Sequence, residues 1–181
     1  MAQDIIAVLT TDHREVEGIF AKLEIGEGDR HQLVSKMVEE LSKHDAVEKE
    51  LLYPVVESDV PGGQSMGQAA IAEHEHVVDV LHRIDKSKDL ASPQAQADLS
   101  TLMREVRHHV QEEEGQIFPA LRAAVNEEDL IEMGEKVELA KKAAPTHPHP
   151  HAPTSSVGVR AAGPVAATMD KVRDALSRDK P

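Results

Sequence analysis

Cysteine is absent from the 181 residues. That excludes disulfides, thiolate-ligated zinc or iron–sulfur sites and a cysteine nucleophile. Tryptophan is missing too, and aromatics amount to 2% of the chain, one tyrosine and two phenylalanines. A core without large rings must be built from Leu, Ile, Val, Ala and Met, which suits packed helices better than a β-sandwich. Positive charge is scarce: 20 Lys and Arg against 33 Asp and Glu leave a formal charge of −13. Such a chain offers phosphate no basic face and an anionic bilayer no attraction, so neither nucleic acid nor membrane is expected as a partner. No long apolar run occurs, and the chain does not open on a leader-like segment. The expectation is a soluble, cytoplasmic protein whose protein partner, if it has one, the sequence does not name.

What the chain has in plenty is histidine, 11 residues. Their placement follows the helical period. Asp4 reads as the N-cap of a first helix to about Leu23, with Ile6, Leu9, His13, Val16 and Phe20 on one stripe. Gly26-Glu27-Gly28-Asp29 ends it, and a second helix runs from about Arg30 to Tyr53 with Val34, Met37, Leu41, His44, Glu48 and Leu52 inward. Pro54 is expected to break or kink it. After Pro61-Gly62-Gly63, a third helix from about Ser65 to Lys88 carries Ile71, His74, Val78 and Leu81 on its apolar side. Ser92-Pro93 starts a fourth, to about Phe118, with Leu102, Val106, His109, Glu113 and Ile117 inward and Pro119 as a second kink. Asn126 caps a short fifth helix, roughly 127–143.

The pattern is a duplication. His44-x-x-x-Glu48, closed by Tyr53-Pro54, is answered in register by His109-x-x-x-Glu113, closed by Phe118-Pro119; Asp12-His13 is answered by Glu73-His74. Residues four apart on a helix share a face, so imidazole and carboxylate project together. Two such two-helix units make an all-α, up-down-up-down four-helix bundle with a short extra helix, spanning 1–144. From Pro145 the Thr-His-Pro-His-Pro-His-Ala-Pro composition predicts a flexible, disordered tail over 145–181, with a short amphipathic helix at about 165–176.

Six inward polar residues follow: His13, His44, Glu48, His74, His109 and Glu113. Four imidazoles and two carboxylates in an apolar core are very costly unless cations neutralise them. Nitrogen and oxygen ligation without thiolate suits iron, manganese or zinc, and a dinuclear carboxylate site in a bundle points first to iron. Glu17, four after His13, is read as a second carboxylate supporting an imidazole N–H. The plain alternative is that each histidine is separately hydrogen-bonded, in a metal-free helical interaction module. His31, His76 and His108 are expected at the surface and His82 at the bundle end. Tyr53, nine residues after His44, falls on the opposite side of an ideal helix and reaches the cluster only if the turn at Pro54 is distorted. The His147-Pro148-His149-Pro150-His151 run reads as a spacer, with weak metal binding as its other reading.

Together, Asp12-His13, His44-x-x-x-Glu48, Glu73-His74 and His109-x-x-x-Glu113 with the two aromatic-Pro pairs resemble the hemerythrin-like (HHE cation-binding) family, over about 4–125. Since that family contains known up-down-up-down bundles, the resemblance carries the fold as well as the pattern does. It implies two non-haem iron ions, oxo- or hydroxo-bridged, binding or sensing O2, NO or peroxide. It also implies a catalase-like or peroxidase activity, or an iron or oxidant sensor, as alternatives at the same site. The chain departs from the oxygen-carrying members in two places. Val78 stands where they have a second third-helix His, and Glu113 lies four rather than five after its His. The inferred site is nearly symmetric, which shifts weight from reversible oxygen carriage toward peroxide turnover or sensing.

Overall fold

The computed structural model describes residues 2–150. The helix proposed at 165–176 and His151 lie outside the described residues. Seven α-helices occur among the described residues: α1 Ile5–Ile25, α2 Arg30–Val47, α3 Tyr53–Asp59, α4 Gly63–Asp85, α5 Pro93–Glu112, α6 Phe118–Ala124 and α7 Glu127–Lys141. Every start that the sequence marks is capped as expected. Asp4 accepts from the Ala7 N–H at 2.7 Å, Asp29 from Gln32 at 2.9 Å, Ser92 from Ala95 at 3.3 Å and Asn126 from Asp129 at 2.9 Å. Each bond satisfies a donor that the first helical turn leaves open. Gly26, at φ 70°, ends α1 in the left-handed conformation that costs glycine nothing, and returns the chain to α2.

Pro54 and Pro119 do not break their helices. Residues Glu48–Leu52 and Glu113–Ile117 form a π turn in each copy, and α3 and α6 continue beyond. The Tyr53 N–H reaches back to the Glu48 carbonyl and the Phe118 N–H to that of Glu113, five residues rather than four. The inserted residue widens the turn just ahead of the proline, which has no N–H to contribute and needs space for its ring. So α2 with α3, and α5 with α6, each act as one long rod. With α1 and α4 they make the four-rod bundle, and α7 lies against α1 and α2.

The apolar core divides in two. One half gathers Phe20, Met37, Val80, Leu81, Ile84 and Leu102. The other gathers Ile5, Leu9, Leu52, Val56, Leu121 and Leu130, roofed by α7. α7 approaches so closely at Gly134 that a Cβ there would stand 2.2 Å from the Gln3 carbonyl oxygen. Between the halves lies a polar layer. Residues 145–150 lie against the bundle: all are buried or half-buried, and His147 Nδ1 lies 2.9 Å from Asp85 at the end of α4. No described helix is long and apolar enough to cross a membrane.

Candidate metal centre

The polar layer is the set of six inward residues. His13, His44, His74 and His109 are 4–7% exposed, and Glu48 and Glu113 are 0% exposed. Each rod of the bundle supplies one imidazole at the level of the π turns. The donor atoms fall into two groups, His13–His44–Glu48–Glu113 and Glu48–His74–His109–Glu113, each with its atoms within 4.8 Å of one another. The two carboxylates belong to both groups.

The contacts inside the layer are those of ligands facing a common point. His44 Nε2 stands 3.0 Å from Glu48 Oε1, and His13 Nε2 3.3 Å from Glu113 Oε2. Yet Glu48 Oε1, Glu113 Oε2 and His13 Nε2 have no hydrogen-bond partner although they are buried. Buried polar atoms without partners are rare and costly. His74 Nε2 and His109 Nε2 lie 2.7 Å apart, their rings edge to face at 85°.

Carboxylates on the outer nitrogens fix the tautomers. His13 Nδ1 is 2.8 Å from Glu114, His74 Nδ1 2.8 Å from Asp45 and His109 Nδ1 2.9 Å from Glu73. His44 Nδ1 makes a looser contact, 3.6 Å from Asp12. A carboxylate at Nδ1 keeps the proton there and turns the Nε2 lone pair inward, the arrangement of histidines that ligate metals. The donor set is therefore compatible with metal binding through nitrogen and oxygen ligands.

Electrostatics agree. Burial pushes the His109 pKa down, but the charge and hydrogen bond of Glu113, with Glu73 and Glu48, together outweigh it and raise the value to about 10. His44 is likewise held well above the ordinary imidazole value, burial being overcome by Glu48 and then Asp12. Glu113 falls well below the usual carboxylate range: burial opposes this, and the His109 charge and hydrogen bond prevail. The layer thus demands positive charge, which protons supply when no metal does.

The sequence reading placed Glu17 at an imidazole; the structure places Glu114 there instead. Glu17 faces Arg107, with contacts of 2.7 and 2.9 Å, on the outer side of α1. Glu114 lies one residue past Glu113 and a hundred past Arg14, so only the folded bundle shows it as the partner of His13. Asp45 and the role of Glu73 were likewise missed, although Asp12 and Glu73 each directly precede an inward His. His31, His76 and His108 are exposed, as expected.

Tyr53 meets its stated condition. The π turn carries it inward, it is fully buried, and its hydroxyl lies 2.8 Å from both Glu113 Oε1 and His74 Nε2. Phe118, its counterpart, stacks on His13 with ring centroids 5.8 Å apart. The site is symmetric in its ligand set and asymmetric in its aromatics, since a hydroxyl reaches only one group. Burial first, then the Glu113 and Glu48 charges, push the Tyr53 pKa well above its ordinary value, so it stays a protonated donor.

A cavity of about 330 Å³ adjoins the layer, running from His13, His44, His74 and His109 past Val77 and Val106 to Arg107.

Comparison with known proteins agrees with this architecture. The hemerythrin HHE cation binding domain model matches residues 4–121. An uncharacterized hemerythrin-like protein of Schizosaccharomyces pombe is 32% identical over 145 residues, covering 80% of this chain and 71% of its own. A hemerythrin HHE cation binding domain-containing protein from Mycobacterium kansasii has a crystal structure with the same fold. Its TM-score is 0.66 at 24% identity, over 77% of this chain and 86% of that one. The chain belongs to the hemerythrin HHE cation-binding domain family, and its buried His/Glu cluster is compatible with metal binding.

Proposed function

We propose that this chain is a non-haem di-iron protein, its two irons held by His13, His44, Glu48, His74, His109 and Glu113, and that its ligand is O2, NO or peroxide. One observation carries the reading: two imidazole nitrogens face each other across 2.7 Å while both outer nitrogens are bound to carboxylates. In the tautomers with the protons outside, two lone pairs meet, an arrangement that repels unless a proton or a metal cation lies between or beside them. The two fully buried carboxylates add a second demand for positive charge.

Iron in such a site supplies redox chemistry and open positions for a small ligand. The chain's own residues do the rest. Glu114, Asp45 and Glu73 orient three of the imidazoles and raise their basicity as ligands, and Asp12 stands 3.6 Å from the fourth. Leu9, Leu52, Leu81 and Leu102, all at or below 1% exposure, close the layer from bulk water on both sides. The cavity lined by Val77, Val78, Leu81 and Val106 offers a small neutral molecule an apolar route, with Arg107 at its outer end. Tyr53 holds a proton on its hydroxyl 2.8 Å from Glu113 Oε1.

That proton favours one second reading, peroxide decomposition. Two peroxides yielding two waters and one dioxygen require protons to be moved to the oxygens leaving as water, and Tyr53 is the only hydroxyl contacting the six residues among the described residues.

Metal analysis of protein from iron-supplemented cells is expected to give about two irons per chain, one for each donor group. His109→Ala and Glu48→Ala are expected to lose them. Full iron content in both variants would end the di-iron reading. Oxygen evolution from added peroxide supports the enzyme, whereas a stable, reversible spectrum under oxygen without turnover supports a carrier.

A further inference from the structure

The four outer carboxylates are not alike in what stands behind them. Asp12 receives the Lys141 ammonium at 2.6 Å, Asp45 receives Lys49 at 2.7 Å, and Glu114 receives Arg14 at 2.5 Å. Each is thereby neutralised by a cation fixed in the chain. Glu73 has no Lys or Arg partner among the described residues; its ion pair is with His109, at 2.9 Å. Where a basic side chain stands behind the others, Glu73 meets His108 and Glu112 from α5, the donor atoms of all three within 4.8 Å of one another.

His108 and Glu112 repeat the His-x-x-x-Glu pair one residue out of register with His109 and Glu113, so one pair faces inward and the other outward. Their side chains are 58% and 39% exposed, with His108 Nε2 3.7 Å from Glu112 Oε1. In the first unit the corresponding residues are Lys43 and Val47, which offer no such set. One imidazole and two carboxylates from two helices, open to solvent on the remaining side, suit a divalent first-row metal that keeps part of its water. Without a cation, carboxylates from α4 and α5, Glu73 and Glu112, face one another with no Lys or Arg between them among the described residues.

We propose that Glu73, His108 and Glu112 form a separate surface site for one divalent transition-metal ion, occupying the place that Lys or Arg fills behind the other three outer carboxylates. The ion sits behind Glu73 and so touches the same carboxylate that orients His109. The site does not depend on which metal fills the inner layer, and its ligands exchange with solvent while the inner ones do not.

The test uses the full chain with its inner centre loaded, titrated with zinc by calorimetry. Inner metal is followed separately by elemental analysis. Wild-type protein is expected to take up one further zinc per chain. H108A should weaken that uptake by on the order of tenfold or more, the usual scale for losing a metal-supporting group. E112K should abolish it, because the new ammonium replaces the ion and restores the pattern of the other three carboxylates; its inner metal content should not change. Both positions are exposed, so folding is not at risk. The proposal is overturned if the wild type takes up no extra zinc below millimolar concentration, or if H108A and E112K bind it as tightly as the wild type.

Discussion

The phenol of Tyr53 donates to Oε1 of Glu113 across 2.8 Å, joining residues sixty apart in the chain at the centre of the polar layer. On an uninterrupted α-helix Tyr53 would lie about 180° from His44, since nine residues at about 100° each complete two and a half turns. The π turn at Glu48–Leu52 absorbs a residue and swings the ring in. Tyr53→Phe would leave a buried carboxylate oxygen short of its donor. The expected cost to the metal-free protein is about 1.5–3 kcal/mol, the range for a hydrogen bond to a charged group. Urea unfolding of chelator-treated protein reads it, and an unchanged midpoint would show that the bond contributes nothing.

Removing metal should be felt by the whole fold, because the layer joins both halves of the core. Metal added to stripped protein at about a hundred times its Kd is expected to raise stability by about 2.7 kcal/mol. Thermal midpoints measured against metal concentration check this. Midpoints that do not move would argue for a cluster satisfied by its own protons.

Glu114 takes the role that spacing suggests for Glu17, and substitution separates them. Glu114→Gln replaces the carboxylate behind His13 with a neutral amide, and metal affinity should fall by about ten- to a hundredfold. Glu17→Gln touches only the Arg107 contact and should leave affinity as it was. Equal effects would mean that the outer carboxylate does not tune its imidazole.

Glycines on the two faces of the bundle should respond oppositely to alanine. Gly18 is an exposed residue in the middle of α1 with nothing within 4 Å of an added Cβ. Gly18→Ala should stabilise by about 0.8–1 kcal/mol through helix propensity. Gly134→Ala drives a methyl toward the Gln3 carbonyl at 2.2 Å and should destabilise by about 1–3 kcal/mol. Calorimetric midpoints of the two variants should shift in opposite directions. A stable Gly134→Ala would show that α7 can lift off α1 freely.

Local chemistry made much of this legible in advance. Asp4, Asp29, Ser92 and Asn126 cap their helices because an oxygen acceptor there meets N–H groups two or three residues on, within reach of the sequence itself. The inward faces, and with them His13, His44, Glu48, His74, His109 and Glu113, follow from a period of about 3.6 residues. The two prolines do not break their helices, because their effect depends on the hydrogen-bond register of the turn ahead. A π turn there leaves no mark that spacing alone distinguishes from a kink.

The sequence by itself determined which side chains face inward and that they come in two matching sets, because periodicity and capping act over a few residues. Only the tertiary structure decided which carboxylate stands behind which imidazole, that Tyr53 reaches one set while Phe118 covers the other, and that Glu73 lacks the basic partner its three counterparts have. The carboxylate–imidazole pairings join residues from twenty-nine to more than a hundred positions apart, for example His74 with Asp45 and His13 with Glu114. They are fixed by how the rods pack side by side, which no window of local sequence contains.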